Sequence, residues 1–352
     1  MLNTVIGVNG SGKSNLIEIF RFLQYLPREL SGYFNGTGGV EHWFWKGVEY
    51  RSDLSDLDFS LRIQNTIYQY SVRLSKDGHK IALNNESISF TRKKLDDGKK
   101  LTNGSFDTNS QQQTSVFARL DNSILLNEMS EVIYEILPVF NSIAIYSFFD
   151  TGRLGLLRRP QDATLDSTSL SESAGNLALV LNDLQNQPQV MRTIINRLKE
   201  FYPRVENIIT RVQGGTVQIY FQEEGLTQTV PATRLSDGTL RYLCLLVILC
   251  HPTPPPLICI EEPELGMHPD IIPTIAELLI EASERTQLIV TTHSSMLVSA
   301  IGQTHPDAVV VCERGDDGTQ MRRLDKEQLA PWLADYSLGD IWMKGLIGGT
   351  RW

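Results

Sequence analysis

The eight residues Gly7 to Ser14, GVNGSGKS, constrain the fold more than any other stretch of the chain. They fit G-x-x-x-x-G-K-[ST] and close a short apolar run over 2–8. The following segment, SNLIEIFRFLQYL, places Leu16, Ile19, Phe20, Leu23 and Leu26 at helical spacing before Pro27. Strand, glycine loop and helix in that order make an anion cradle. The glycines let the backbone wrap a phosphate, its N–H groups point inward, and the helix N-terminus adds positive potential. Asn9, Gly10, Ser11, Gly12, Lys13, Ser14 and Asn15 are therefore the candidate nucleotide-binding residues. In this layout Lys13 reaches the β and γ phosphates and the Ser14 hydroxyl ligates Mg²⁺.

The remaining segments read as an α/β layer fold. LDFSLRI, IYQYSVRL and HKIALNN alternate apolar with polar residues and predict an antiparallel β meander over about 55–91, turning at Asp77-Gly78. A polar tract over 101–115 is followed by a helix near 127–137 and a strand at 142–149. Helices are expected at 173–186 and 188–201, the second with Pro188 in its first turn. Two β segments, 205–212 and 216–223, precede a buried helix ending near 250. The last third alternates: strand 257–261, helix 270–283, strand 287–292, helix 294–302, strand 308–313. That alternation predicts a largely parallel core. The chain divides accordingly into 1–84, an insertion over 85–203, and 204–352.

Two acidic residues end the apolar run Leu257 to Ile260 in PLICIEEPE, which puts Glu261 and Glu262 at the C-terminal edge of a buried strand, where open α/β sheets bind ligands. Adjacent carboxylates there separate by role: Glu261 in the Mg²⁺ shell, Glu262 orienting and polarising an attacking water. His293 in LIVTTHSSML sits just past the next strand, where a neutral imidazole can bond a γ-phosphate or that water. Lys13, Glu262 and His293 are thus the candidate catalytic residues, and Ser14 and Glu261 the candidate metal ligands. His268, between Met267 and Pro269, reads as part of a packed loop. RLSDGTLRYL, residues 234–243, joins a Ser-Asp-Gly turn to a core helix, so Ser236 and Gly238 are at once helix starters and anion donors.

The composition narrows the partners. A net charge of −9 restricts nucleic-acid binding to a local basic patch. One candidate is Arg153, Arg158 and Arg159. The other, Arg92, Lys93, Lys94, Lys99 and Lys100, is interrupted by Asp96-Asp97-Gly98 and reads as a solvated loop. The four cysteines lie in apolar runs without metal-ligand spacing and read as reduced core residues. No run approaches the roughly 20 apolar residues of a membrane span, and no secretory pattern is visible, so the expected location is cytoplasmic. No long heptad array is present, so no coiled-coil arm is expected.

Taken together these motifs resemble the ABC-type ATPases, and within them the SMC/RecF/OLD branch with its stand-alone prokaryotic "AAA family" ATP-binding proteins. Gly7 to Ser14 match Walker A, Leu235 to Arg241 the ABC signature, Ile258 to Glu262 Walker B, Glu264 to Pro269 the D-loop region, and His293 the switch histidine. Further features of that subgroup are IEEPELGMHP, with Glu261 for the usual aspartate, TTHSSML, GNLALVLNDL and the tail LGDIWMKGLIGG. The resemblance implies a P-loop NTPase head with a mixed sheet, an antiparallel β subdomain and a helical insertion. It also implies ATP and Mg²⁺ as cofactors, and hydrolysis coupled to closure of a homodimer in which Ser236 and the Gly238 N–H complete the partner's γ-phosphate site. Expected targets are DNA or a separately encoded nuclease or other effector, in prokaryotic genome maintenance or antiphage defence, with no membrane partner. Other readings are the nucleotide-binding subunit of a membrane transporter, disfavoured by LSDGT and Glu261, and a low-turnover ATP-gated scaffold.

Two departures stand out. Relatives usually carry one or two strands ahead of the Walker A strand, often with an F-K-S turn. Here six residues precede Gly7, so a start further upstream is expected and the adenine contacts are unassigned. After the strand at 142–149, Phe149-Asp150-Thr151 stands where a Q-loop glutamine is expected, which leaves that role open. About 40 residues follow the last core strand, too few for an appended Toprim nuclease, so any cleavage is expected from a partner.

Overall fold

Strand β1 (Leu2–Ile6) is buried at every residue, as a strand with parallel partners on both edges and cover on both faces must be. It runs through the glycine loop into α1 (Lys13–Tyr25). The structure, a computed structural model, describes residues 1–28, 54–77, 80–92, 102–108, 127–316 and 318–350, together with Leu30, Tyr33, Phe34, Trp43, Phe44, Ser115 and Phe117. It comprises two units, residues 18–143 and residues 1–17 with 144–352. The segments drawn from the sequence, 1–84, 85–203 and 204–352, follow motif order instead.

The unit over 18–143 holds an antiparallel sheet in the order β2 (Leu54–Ile63), β3 (Thr66–Asp77), β4 (Lys80–Arg92), β5 (Thr102–Thr108). The first three strands are the meander expected from alternation. The fourth lies inside the stretch read as a polar tract, because Thr, Asn and Gly carry no apolar alternation and β5 pairs through its backbone with β4. Helix α2 (Asn127–Asn141) contributes Val132, Ile133, Ile136 and Phe140 to the buried residues. Phe140 packs edge-on against Phe117 at 5.1 Å and Tyr70 at 6.4 Å. Tyr68 donates to Glu135, which Arg92 also meets at 2.9 Å. Lys93, Lys94, Lys99 and Lys100 of the second basic run lie outside the described residues.

The other unit is organised on a six-stranded sheet. Chain order continues with β6 (Ala144–Tyr146), β7 (Gln161–Asp162), α3 (Leu177–Leu184), α4 (Pro188–Phe201), β8 (Val205–Gln213), β9 (Thr216–Glu223) and β10 (Val230–Pro231). Then follow α5 (Asp237–Cys250), β11 (Leu257–Glu261), α6 (Ile272–Ser283), β12 (Gln287–Thr291), α7 (Ser295–Gly302), β13 (Val309–Gly315), β14 (Gly318–Arg323), α8 (Lys326–Leu333) and α9 (Leu338–Met343). The sheet order is β14-β13-β1-β12-β11-β6, parallel throughout except for the β13–β14 hairpin. This is the mixed, largely parallel core expected. A smaller antiparallel sheet pairs β9 with β7, β8 and β10. Helix α5 is apolar around most of its circumference, and Leu240 and every residue from Tyr242 to Leu249 are buried, so it forms the centre of the unit.

Two elements are shorter than periodicity predicts. The strand expected over 142–149 leaves the sheet after Tyr146, whose hydroxyl donates to the Leu170 carbonyl. The helix expected from 173 starts at Leu177. Ala174 takes a φ of +54°, and the Asn176 side chain bonds the Ser171 N–H and the Asp166 and Ser169 carbonyls, which fixes a turn there. Cys244, Cys259 and Cys312 are buried and Cys250 half-buried, all as free thiols. Among the described residues, no helix is long and apolar enough to cross a membrane.

Candidate active site

The glycine loop owes its shape to residues three hundred positions away. A Cβ at Gly7 would run into the Cys312 carbonyl, and one at Gly12, whose φ is +109°, into the Thr319 side chain. Thr319 Oγ1 donates to the Ser11 carbonyl at 3.0 Å, and Cys312 Sγ to the same oxygen at 3.4 Å. The β13–β14 hairpin thus braces the loop from behind. It is backed in turn by the C-terminal tail, where Glu313 accepts the Gly349 N–H at 2.9 Å and Trp342 Nε1 donates to the Gly349 carbonyl at 3.2 Å. Ile6, Val311, Leu338, Ile341, Trp342 and Ile347 share one apolar cluster, which ties the end of β1 to that tail.

In front of the loop lies an open cleft, lined by Asn9, Gly10, Gly12, Lys13, Ser14 and Asn15, by Glu261 and Glu262, and by Thr291 and His293. Parallel β1, β11 and β12 end side by side, so their C-terminal residues and loops converge. Lys13 Nζ donates to the Gly7 and Val8 carbonyls at 2.8 and 3.0 Å. Burial pulls its ammonium below the ordinary lysine value, while the neighbouring Cys312 and Glu262 oppose that shift. Of the candidate residues 9–15, Ser11 alone stays outside the lining. Its side chain is buried, its Oγ has no hydrogen-bond partner among the described residues, and its carbonyl is the anchor for the hairpin.

The two adjacent acids have different surroundings. Glu261 ends β11 and accepts from Ser147 Oγ at 2.5 Å, so the segment after β6 presents a serine to it. Glu262 adopts a φ of +48°, a left-handed conformation rare outside glycine and concentrated at functional sites. Its N–H donates to the Thr291 carbonyl at 2.9 Å, and its carboxylate lies 3.8 Å from His293 Nε2. Glu264 holds the histidine loop: its Oε1 accepts from Thr292 Oγ1 at 2.5 Å and from the His293 N–H at 3.1 Å, while Oε2 is buried without a partner among the described residues.

Ser236 and Gly238 lie outside the cleft lining. Ser236 is the exposed N-cap of α5, and its Oγ accepts the Thr239 N–H at 3.1 Å. Arg158, grouped from the sequence into a surface patch, is buried, because its guanidinium is spent on backbone carbonyls beside this turn. That removes it from any nucleic-acid patch with Arg153 and Arg159. His268 is exposed and paired with Asp270 at 2.6 Å, so it is not packed as expected, although its neighbour Met267 packs against the core. Sequence reasoning alone does not single out Ser147, Thr291 or Thr319, and names Glu264 only as the start of the D-loop region. Glu264 and Thr291 carry a signal in their adjacency to Glu262 and His293, whereas Ser147 and Thr319 carry none.

Over residues 2–299 the chain matches the family model described as "AAA domain, putative AbiEii toxin, Type IV TA system". Among solved structures it is similar to an Smc head bound to the C-winged helix domain of ScpA, 14% identical with a TM-score of 0.53, over 93% of this chain and 91% of that one. It is also similar to an Smc head with an extended coiled coil bound to the C-terminal domain of ScpA, derived from Pyrococcus furiosus, 12% identical with a TM-score of 0.53, over 95% and 92%. These likenesses establish the P-loop ATPase head fold. No curated protein matches the chain.

Proposed function

The chain belongs to the AAA domain family matched over residues 2–299, a family of P-loop ATPases, and from that premise we propose that it hydrolyses ATP at composite sites formed when two copies close on each other. The observation that carries this reading is the distribution of the motifs. One cleft gathers the glycine loop, Glu261, Glu262 and His293, while Ser236 and Gly238 stand apart on an exposed helix N-terminus.

The loop N–H groups and Lys13 bind the phosphates, with the helix dipole of α1 behind them. The donor set fits a hard divalent cation, since Ser14 and Glu261 both offer oxygens to one cleft. Ser14 and Glu261 would hold Mg²⁺ there, and the ion would supply positive charge against the phosphates. Glu262 accepts the proton of the attacking water as its oxygen bonds to the γ-phosphorus and the bond to the ADP oxygen breaks. His293, facing Glu262 across 3.8 Å, donates to the γ-phosphate. Glu264 keeps His293 in place through the two bonds to its loop. Ser236 and the Gly238 N–H close on the partner's γ-phosphate, giving a two-fold dimer that opens when the phosphate leaves. The work of that cycle is directed at DNA or at a separately encoded effector.

Steady-state ATP turnover, with and without DNA, tests the reading. Ser236→Arg retains nucleotide binding and loses turnover. Wild-type turnover in Ser236→Arg contradicts the composite site, and turnover indifferent to DNA contradicts the DNA-directed role.

A further inference from the structure

We infer that Arg158 is the positioning residue of the Ser236 turn, holding it in the conformation that faces a second copy; this rests on the composite-site reading. Arg158 ends a short 3₁₀ turn, Leu156–Arg158, and its side chain is 8% exposed. Its Nε donates to the Thr151 carbonyl at 2.7 Å. Its Nη1 donates to the Leu235 carbonyl at 2.6 Å and the Ala232 carbonyl at 3.1 Å, and its Nη2 pairs with Asp237.

These acceptors bracket Ser236. Ala232 opens the 3₁₀ turn Ala232–Arg234, Leu235 precedes the serine, and Asp237 follows it as the first residue of α5. Ser236 is held extended, at φ −71° and ψ 158°, between two anchored neighbours. A buried guanidinium needs its donors paired, and the Asp237 carboxylate that meets it is itself 66% exposed. The carbonyl dipoles therefore complete the solvation of the charge, and the loop that supplies them is fixed by it. Only a planar fork of donors reaches all four acceptors at once; a lysine offers a single point charge.

The fourth anchor gives the arrangement a direction. Thr151 belongs to the segment that starts after β6 with Ser147, which bonds Glu261 in the chain's own cleft. Arg158 thus ties the segment touching one nucleotide site to the turn that covers the other.

The test is complementation between purified full-length variants. Lys13→Met lacks a working phosphate loop but keeps its Ser236 turn; Arg158→Met has the reverse defect. Each alone is expected to lose about tenfold or more of turnover, the effect of roughly 1.4 kcal/mol on a barrier. Arg158→Met is expected to bind a fluorescent ATP analogue within about twofold of wild type, a discrimination of roughly 0.4 kcal/mol. Mixed together they restore turnover, because the Arg158→Met loop meets the intact Ser236 turn of Lys13→Met. Ser236→Arg mixed with Lys13→Met is the control. If that control pair fails to complement, the composite-site reading falls. If the control complements and Arg158→Met does not, the assignment of Arg158 falls. Arg158→Lys, which keeps charge and most of the volume, covers a Met variant that does not fold. It is expected to fold, bind the analogue and lose turnover about tenfold, and wild-type turnover in it overturns the proposal.

Discussion

Replacing Glu264 with alanine separates a latch from a bystander. Its Oε1 accepts from Thr292 Oγ1 at 2.5 Å and from the His293 N–H at 3.1 Å. Hydrogen bonds to a charged group contribute about 1.5–3 kcal/mol each, and the lower end applies to a half-buried carboxylate. Against a loss of about 3 kcal/mol stands the relief of Oε2, buried without a partner among the described residues, at about 1 kcal/mol. The net cost is about 2 kcal/mol, a Tm fall of about 4 °C at roughly 2 °C per kcal/mol for a large domain. The catalytic effect is larger in proportion, since a catalytic group displaced by about 1 Å loses on the order of a hundredfold. The variant is expected to lower kcat by about 10-fold to 100-fold with KM for ATP nearly unchanged, the pattern of an interaction made only in the transition state. Coupled-enzyme ATPase kinetics and differential scanning calorimetry read both numbers. A normal kcat beside a lowered Tm would refute the positioning of His293 and leave Glu264 a purely structural residue.

Gly12→Ala places a Cβ against Thr319 at a φ of +109° and is expected to abolish ATP-analogue binding by equilibrium dialysis, while Thr319→Gly in the same chain recovers part of it by removing the collision. Trp342→Ala empties a buried position beside Ile6; a cost of about 3–5 kcal/mol in urea unfolding is expected, with weaker nucleotide binding because the end of β1 loses its backing. Burial holds the His251 imidazole below its ordinary 6.5, with Nδ1 accepting the Thr253 N–H. The unfolded chain therefore takes up the proton first: stability from this residue is complete above 6.5 and lost as pH falls through the lower folded value. Urea midpoints between pH 7.5 and 5 should show a flatter slope in His251→Gln than in the parent.

The parts of the site legible in the sequence are those whose chemistry is written in consecutive residues. GVNGSGKS, ICIEE and TTHSS each join a strand end to polar side chains, so spacing and residue type carry the place of those side chains in one cleft. The rest depends on pairs distant in the chain. Thr319 and Ser11 are 308 positions apart, and neither residue type announces a brace. Arg158 displays only its charge in sequence, which suits a surface patch, while its burial is decided by carbonyls at Thr151, Ala232 and Leu235. Ser11 is, in sequence, one loop residue among several; only the hairpin's claim on its carbonyl distinguishes it from its neighbours. Strand β5 is invisible to periodicity because an edge strand of Thr, Asn and Ser pairs through backbone groups that every sequence has.

The central claim, that ATP closes two copies around composite sites, is tested most directly by the mass of Glu262→Gln in solution. That variant keeps the phosphate loop and removes the proton acceptor, so bound ATP persists. Sedimentation velocity with ATP and Mg²⁺ is predicted to show a dimer that disappears with ADP and in the double variant Glu262→Gln, Ser236→Arg. A Glu262→Gln protein that binds ATP and sediments as a monomer contradicts the account.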